Sequence, residues 1–155
     1  MSRRLELDVT YAARRPWAPR PGQFKTWAAG VVAGVAVAQP RPVALSIRVV
    51  GAARSRGLNS QYRGKDQPTN VLSFGGAGRS PDGRDFLGEL VICAPVVARE
   101  ARAQGKIREA HWAHMTVHGM LHLLGYDHEL AKQARRMAAV EVQILDRLGF
   151  SNPYA

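Results

Sequence analysis

All five histidines of this 155-residue chain lie within one 18-residue window, and their spacing restricts how that part of the chain can fold. Residues Ile107–Leu124 contain no proline and are followed by Gly125, which predicts a helix that stops at the glycine. His118 and His122 are four residues apart, so their imidazoles lie on one face of this helix, about 40° apart around its axis. Gly125 allows the chain to turn back, so that His128 can approach the same point. The segment therefore predicts three imidazoles that converge on one metal ion.

Three imidazoles that leave one coordination position open are the pattern of a catalytic zinc site. Nickel, copper and cobalt also accept imidazole ligands, so the pattern leaves the metal open. The single cysteine, Cys93, excludes a structural site built from cysteines. His111 and His114 extend the same stripe, but one helix cannot direct four imidazoles at one ion. We interpret these two as residues that support the ligands.

The spacing of the histidines is similar to the metzincin peptidase motif His-Glu-x-x-His-x-x-Gly-x-x-His, with one difference. Gly119 stands where those enzymes have the glutamate that acts as general base, so the proton shuttle for an amine leaving group is missing. Cleavage of a phosphodiester requires different groups, because negative charge develops on the phosphoryl oxygens in its transition state. A metal ion and an arginine can stabilise that charge. RNA also brings its own 2′-hydroxyl as a potential nucleophile.

The order of predicted elements indicates the fold class. Apolar and β-branched patterns predict four strands, at Leu5–Tyr11, Val43–Val50, Asn70–Phe74 and Phe86–Cys93. Helices are predicted at Phe24–Ala38, Val96–Gln104, Ile107–Leu124 and Leu130–Leu148. Loops are predicted at the proline-containing Arg14–Gly22 and at the polar, basic Gly51–Asp66. This order predicts one α+β domain over residues 1–155, with a small mixed β-sheet packed with helices and a metalloprotease-like metal-binding helix.

The formal net charge of +10 arises in one part of the chain. Residues 1–81 hold 13 Lys and Arg against 3 Asp and Glu, whereas residues 82–155 hold 9 of each kind. Eighteen of the 22 basic residues are arginines, whose planar guanidinium suits bidentate contacts with phosphate. One interpretation of this excess of basic residues is that the chain binds nucleic acid. The other is an ordinary solvated basic surface.

No segment of the sequence predicts export or membrane insertion. Met1 is followed by a polar, basic stretch without the apolar core of a signal peptide. The longest apolar run, Ala28–Ala38, has 11 residues, well short of the roughly 20 needed to span a bilayer. We therefore expect a cytoplasmic protein without a membrane segment.

The run His118-Gly-Met-Leu-His-Leu-Leu-Gly-Tyr-Asp-His128 resembles the signature of the YbeY family of bacterial rRNA-maturation endoribonucleases. Residues 58–74, with Tyr-Arg-Gly-Lys-Asp and Thr-Asn-Val-Leu-Ser-Phe, resemble a second motif of that family. Residues 87–93 and 148–154 also resemble family segments, so the likeness covers most of residues 58–154. Glu89 stands where members commonly have aspartate, and Gly75-Gly76 replaces a proline often found after Ser-Phe.

The resemblance implies one zinc ion per chain, held by His118, His122 and His128. It also implies single-strand-specific cleavage of RNA, linked to 16S rRNA 3′-end maturation and ribosome quality control. The implied partners are RNA, in particular an rRNA precursor, and the ribosome or a small-subunit protein. Arg63 matches by position the functionally important arginine of the family.

From these observations we expect a metal-dependent endoribonuclease with His118 and Arg63 as catalytic residues. Arg63 would stabilise the phosphate in the transition state, and Lys65, Arg54 and Arg56 would guide the RNA backbone. The candidates for a general acid are Asp127, Glu89 and Asp66, of which Asp127 also fits the role of orienting a ligand histidine.

Two other functions remain open at this point. A metal-dependent peptidase or amidase fits the histidine spacing, although Gly119 argues against it. A ribosome-assembly factor without catalysis, in which zinc is structural and the basic half binds rRNA, fits the charge distribution.

Overall fold

The computed structural model describes residues 4–13, 15–35, 42–79, 81 and 83–155. In these ranges the chain forms, in order, β1 (Leu5–Tyr11), α1 (Pro21–Gly34), β2 (Val43–Val50), α2 (Ala52–Arg63), β3 (Val71–Arg79), β4 (Asp85–Cys93), α3 (Ala94–Ala103), α4 (Arg108–Leu123) and α5 (Ala131–Arg147). The predicted α+β class is confirmed. Within the described ranges, no helix has both the length and the apolar character that a membrane crossing requires.

The four described strands form one mixed sheet in the order β1-β2-β4-β3. Strands β1, β2 and β4 are parallel, and the edge strand β3 runs antiparallel to β4. Helix α1 connects β1 to β2, as the crossover between parallel strands requires. The predicted mixed sheet is therefore confirmed, and β3 forms an edge beside which the C-terminal half of the chain can pack.

The main core lies on the side of the sheet covered by α1, α4 and α5. Alternate residues of β2 point into it, and each is at most 1% exposed: Val43, Leu45, Ile47 and Val49. Phe24 of α1 and Trp112 of α4 pack edge to face, with ring centroids 5.9 Å apart. A smaller apolar cluster contains Leu72 of β3 and Val91 of β4, with Leu58 of α2 packed against it. Helix α4 thus packs against the sheet and against three other helices, α1, α3 and α5.

The loop predicted at Gly51–Asp66 is wrong, because residues Ala52–Arg63 form helix α2. The buried residues of α2 are polar, so the apolar period that marks a helix in sequence is missing. Ser55 exchanges two hydrogen bonds with the backbone of Thr69, at 3.0 and 3.1 Å. Asn59 Nδ2 donates to the carbonyl of Gln67 at 2.8 Å. The helix therefore buries these groups by binding the backbone of the loop that follows it.

Other boundaries differ by a few residues. Pro21 and Gly22, predicted as loop, begin α1, because proline at the first helical position loses no hydrogen bond. Helix α1 ends at Gly34, and residues 36–38 of the predicted helix lie outside the described residues, as does Arg14 of the predicted loop. Strand β3 continues beyond Phe74 to Arg79, across a register shift between Gly75 and Gly78.

Helix α4 approaches the sheet most closely at Gly119. A Cβ atom there would lie 2.8 Å from Leu90 Cδ2, 3.2 Å from Val71 Cγ2 and 3.3 Å from Ser73 Oγ. Leu90 is fully buried, so its methyl group would have to shift within the core to accept a side chain at position 119. Packing therefore favours glycine at this position.

We expect Gly119→Ala to lower the free energy of unfolding by about 1–2 kcal/mol, since overpacking outweighs the gain of up to about 1 kcal/mol in helix propensity. Gly57 of α2 is the matched control, because no atom lies within 4 Å of its Cβ position. Gly57→Ala should raise stability by about 0.5–1 kcal/mol. Urea denaturation of the two variants measures both values, and a stabilising Gly119→Ala would contradict the close approach.

Candidate active site

Helix α4 and the turn after it bring the three predicted metal ligands together. His118 and His122 lie one turn apart, and their Nε2 atoms are separated by 3.2 Å. Beyond the helix, Gly125 has a φ of +97°, which favours glycine, and the chain turns back. The ring centroid of His128 then lies 4.7 Å from that of His122 and 5.7 Å from that of His118. One ring nitrogen from each histidine lies within 4.8 Å of the others.

The turn that carries His128 is fixed by Asp127. Asp127 Oδ1 accepts the backbone N–H of His128 at 2.7 Å and that of Glu129 at 3.3 Å. This carboxylate holds the backbone of His128 rather than its imidazole. The position of the third histidine therefore depends on one side chain and one glycine.

The donor set fits a transition metal ion. Burial, together with the neighbouring His118 and His128, lowers the pKa of His122, so its imidazole is neutral at pH 7. The neutral imidazole is the form that binds a metal. His118 and His122 are half-buried and His128 is exposed, so the point where the rings meet is open to solvent on one side.

A fully buried carboxylate, Glu141 of α5, lies behind His118. Its Oε1 accepts a hydrogen bond from His118 Nδ1, and its Oε2 accepts one from the hydroxyl of Tyr154. His114 Nε2 lies 3.1 Å from the same Oε2. Burial raises the pKa of Glu141, but the hydrogen bonds from His114, His118 and Tyr154 outweigh this and lower the pKa to about 2.

The ionised Glu141 determines which nitrogen of His118 is available. A carboxylate can only accept hydrogen bonds, so Nδ1 of His118 carries the proton and Nε2 carries the lone pair. That lone pair lies on the side of His122. A carboxylate behind a histidine is the usual support of a metal-ligating imidazole.

Glu141 and Tyr154 were not predicted as site residues. Glu141 lies four residues after Met137 and three before Ile144, on the apolar stripe that predicted the last helix. A charged residue on a buried face must be paired, and this signal could have identified Glu141. Of the two histidines interpreted as supporting residues, His114 contacts Glu141, whereas His111 Nε2 lies 2.9 Å from Glu100 Oε1.

The three histidines open into a cleft of about 860 Å³ that also contains basic groups. One wall is formed by the end of α2, the loop after it and β3, and includes Arg63 and Lys65. The opposite wall is formed by α4, the turn with His128, and Tyr154. The cleft therefore joins the basic half of the chain to the histidine-containing half.

Hydrogen bonds connect Arg63 to the helix that carries the histidines. Arg63 Nη2 donates to the carbonyl of Ser73 at 3.0 Å, and Ser73 Oγ donates to the carbonyl of Gly119 at 3.1 Å. Gly119 directly follows His118. The Arg63 guanidinium also lies 5.6 Å from the ring centroid of Phe74. The arginine is thus held beside the cleft from two directions.

Several candidate residues do not line this cleft. Arg54 and Arg56 are exposed on α2, and Arg56 forms a bidentate ion pair with Asp66 at 2.7 and 2.9 Å. That hydrogen-bonded pair lowers the pKa of Asp66, which makes it a poor proton donor. Glu89 pairs with Arg48 at 2.6 Å. Of the three candidate acids, Asp127 is the one that lines the cleft.

Comparisons with known proteins agree with this geometry. The sequence model of a family described as Endoribonuclease YbeY matches residues 20–149. A protein of Alkalilimnicola ehrlichii named Endoribonuclease YbeY is 50% identical over 97% of this chain and 91% of its own length. A Stenotrophomonas maltophilia protein of the same name is 49% identical over 98% of this chain and 94% of its own. A solution structure from Thermotoga maritima shares the fold, with a TM-score of 0.60 at 22% identity over 92% of this chain and 88% of that one.

Proposed function

Because the chain belongs to the endoribonuclease YbeY family and is therefore a hydrolase that acts on RNA, we propose that it cleaves single-stranded RNA with the help of one zinc ion. The observation that carries the proposal is the shared cleft, where three converging imidazoles face Arg63 and Lys65. The substrate we propose is an rRNA precursor, processed at the 3′ end of 16S rRNA and during ribosome quality control. This substrate would bring the enzyme to the ribosome or a small-subunit protein in the cytoplasm.

The residues that would hold zinc are His118, His122 and His128, with Glu141 fixing the first of them. Zinc held by three imidazoles supplies a Lewis acid and lowers the pKa of water toward neutrality. The three nitrogen donors, the neutral state of His122 and the carboxylate behind His118 all suit this ion.

The basic wall of the cleft provides the groups that recognise phosphate. Arg63 uses two of its N–H groups on the carbonyls of Tyr62 and Ser73, which sets the orientation of the guanidinium fork. The fork can stabilise the negative charge that develops on the phosphoryl oxygens during cleavage. Lys65, exposed two residues later, would attract an adjacent phosphate.

The residue at position 119 disfavours the alternative of a peptidase or amidase. Gly119 has no carboxylate, so the general base of a metzincin-type reaction is missing from the position where that motif supplies it. A side chain at this position would also press against Leu90, Val71 and Ser73. An RNA substrate, by contrast, uses the arginine and lysine that line the opposite wall.

The proposed specificity is tested with two RNAs of the same sequence, one unpaired and one annealed to its complement. We expect the zinc-loaded protein to cleave the unpaired RNA and to leave the duplex intact, and a chelator to stop the reaction. Cleavage that continues after metal analysis shows no remaining zinc would contradict the proposal. Equal cleavage of both RNAs would contradict the single-strand preference alone.

We expect Arg63→Ala to reduce RNA cleavage on the order of 100-fold while zinc content stays at the wild-type level, because the arginine stabilises charge that develops in the transition state. Arg63→Lys should recover only part of the rate, since lysine lacks the planar fork. Arg99→Ala is the control, because Arg99 is exposed on α3 outside the cleft. Single-turnover cleavage rates measure the effect. An unchanged rate for Arg63→Ala would show that the arginine does not take part in cleavage.

A further inference from the structure

An aromatic side chain is exposed to solvent directly beside Arg63, the arginine that lines the cleft. Tyr62 is 53% exposed, although it lies in the last turn of α2, next to the arginine. Its carbonyl accepts a hydrogen bond from Arg63 Nη1 at 3.4 Å. Neither the core nor the proposed zinc site accounts for this exposed ring.

Phe74 of β3 supports both Tyr62 and Arg63. The Tyr62 ring packs edge to face on Phe74, with centroids 5.2 Å apart and an interplanar angle of 71°. The Arg63 guanidinium lies over the same Phe74 ring at 5.6 Å. Phe74 itself packs against the small apolar cluster that includes Leu72. A rigid support thus fixes the distance between an exposed aromatic ring and a phosphate-binding group.

We propose that Tyr62 is a specificity-determining residue on which an unpaired base stacks when the neighbouring phosphate is bound by Arg63. This inference rests on the proposed function, since it assigns a base-binding position next to the arginine of the same cleft. Aromatic side chains bind single-stranded RNA by stacking, and stacking requires a base that is not already paired and covered in a duplex. Tyr62 would therefore supply a physical cause for the preference for single strands, independent of base identity.

Tyr154, the exposed tyrosine that lines the cleft itself, has different contacts. Its hydroxyl is bound to the buried Glu141, and its ring packs edge to face on His114 with centroids 5.4 Å apart. Replacing it would disturb the support of the metal site as well as any RNA contact. Tyr62 is therefore the residue at which base stacking can be tested by itself.

The test uses a 2′-O-methyl oligonucleotide, shown by gel electrophoresis to stay intact during the measurement, with one 2-aminopurine, whose fluorescence falls when the base stacks. With the 2-aminopurine moved along the oligonucleotide, we expect wild-type protein and Tyr62→Phe to quench it at one position, and Tyr62→Leu to lose the quenching. Tyr62→Leu should also weaken binding on the order of 10-fold. Zinc content should not change. In cleavage assays KM should rise and kcat should stay near the wild-type value.

Two controls separate base stacking on Tyr62 from other causes of weaker RNA binding. Phe86→Leu removes an aromatic ring that is 37% exposed on β4 outside the cleft, and it should leave quenching and affinity unchanged. An oligonucleotide with an abasic site at the quenched position should bind wild-type protein and Tyr62→Leu equally. If wild-type protein binds and cleaves RNA, and Tyr62→Leu quenches the 2-aminopurine fluorescence as strongly as wild type, the stacking role is wrong and the proposed function stands. If wild-type protein binds no RNA, both are wrong.

Discussion

Replacing His122 by alanine is expected to abolish zinc binding and RNA cleavage together. Two imidazoles remain in this variant, His118 and His128, and they are too few to hold zinc in the way that catalytic sites do. The loss should exceed the roughly 10–100-fold cost typical of residues that only support a ligand. His122 is the best of the three predicted ligands to replace, because the buried Glu141 is bonded to His118 and keeps its partner.

The measurement is zinc content by elemental analysis, together with single-turnover cleavage of an unpaired RNA. His111→Ala is the matched control: it removes a buried histidine from the same helix, but one whose contact is Glu100. We expect this control to be less stable than the wild type and still to bind zinc. A His122→Ala protein that binds one zinc with unchanged affinity would show that the ligands are wrong. Metal-free wild type that cleaves as fast as the zinc-loaded protein would show that zinc is not needed.

The sequence could predict the fold where burial follows an apolar period. Strand β2 alternates between apolar core positions and half-buried ones, and its predicted bounds, Val43–Val50, are those of the structure. Helix α2 shows the opposite case, because its buried Ser55 and Asn59 are polar and bind a neighbouring loop. A pattern based on hydrophobicity cannot detect a helix whose buried face is hydrogen-bonded.

The convergence of the histidines depends on local geometry, which is why spacing alone predicted it. Two of them are one helical turn apart, and the third follows one glycine turn. The position of Arg63 depends instead on how β3 packs beside α4, through Ser73 and Gly119, which are 46 residues apart in sequence. The residues alone did not distinguish Arg63 from the other arginines among the 18 in the chain. Its proposed role came from the family resemblance.

The second large effect is expected at Glu141. Glu141→Ala would leave three polar groups facing a cavity, on His118, His114 and Tyr154. Removing one member of a buried, hydrogen-bonded charge network typically costs about 3–5 kcal/mol in the free energy of unfolding. Glu141→Gln keeps the shape but replaces one carboxylate oxygen by an N–H donor, which cannot accept the hydrogen bonds made to that oxygen. We expect a smaller loss of stability than for Glu141→Ala. In both variants zinc affinity should fall by roughly 10–100-fold, because His118 is no longer held in one tautomer.

The stability of these variants is best measured on metal-free protein. Zinc bound to the folded state would stabilise it, so a variant with weaker zinc binding would also unfold more easily for that reason alone. Urea denaturation in the presence of a chelator separates the two effects, and titration with zinc then gives the affinity. Asp146→Asn is the control, since Asp146 is an exposed acid on the same helix. If Glu141→Ala matched the wild type in both measurements, the carboxylate would have no role in the site.

The pH dependence of stability provides an independent check on Glu141. Its pKa in the folded state is about 2, below the ordinary value of 4.5, so the ionised carboxylate stabilises the fold at pH values above 4.5. As the pH falls from 4.5 toward 2, the unfolded chain takes up the proton first, and this stabilisation is lost. The difference in stability between wild type and Glu141→Gln should therefore shrink as the pH falls below 4.5. A difference that stays constant down to pH 3 would mean that the ionised carboxylate is not what holds His118, and the support of the metal site would have to come from shape alone.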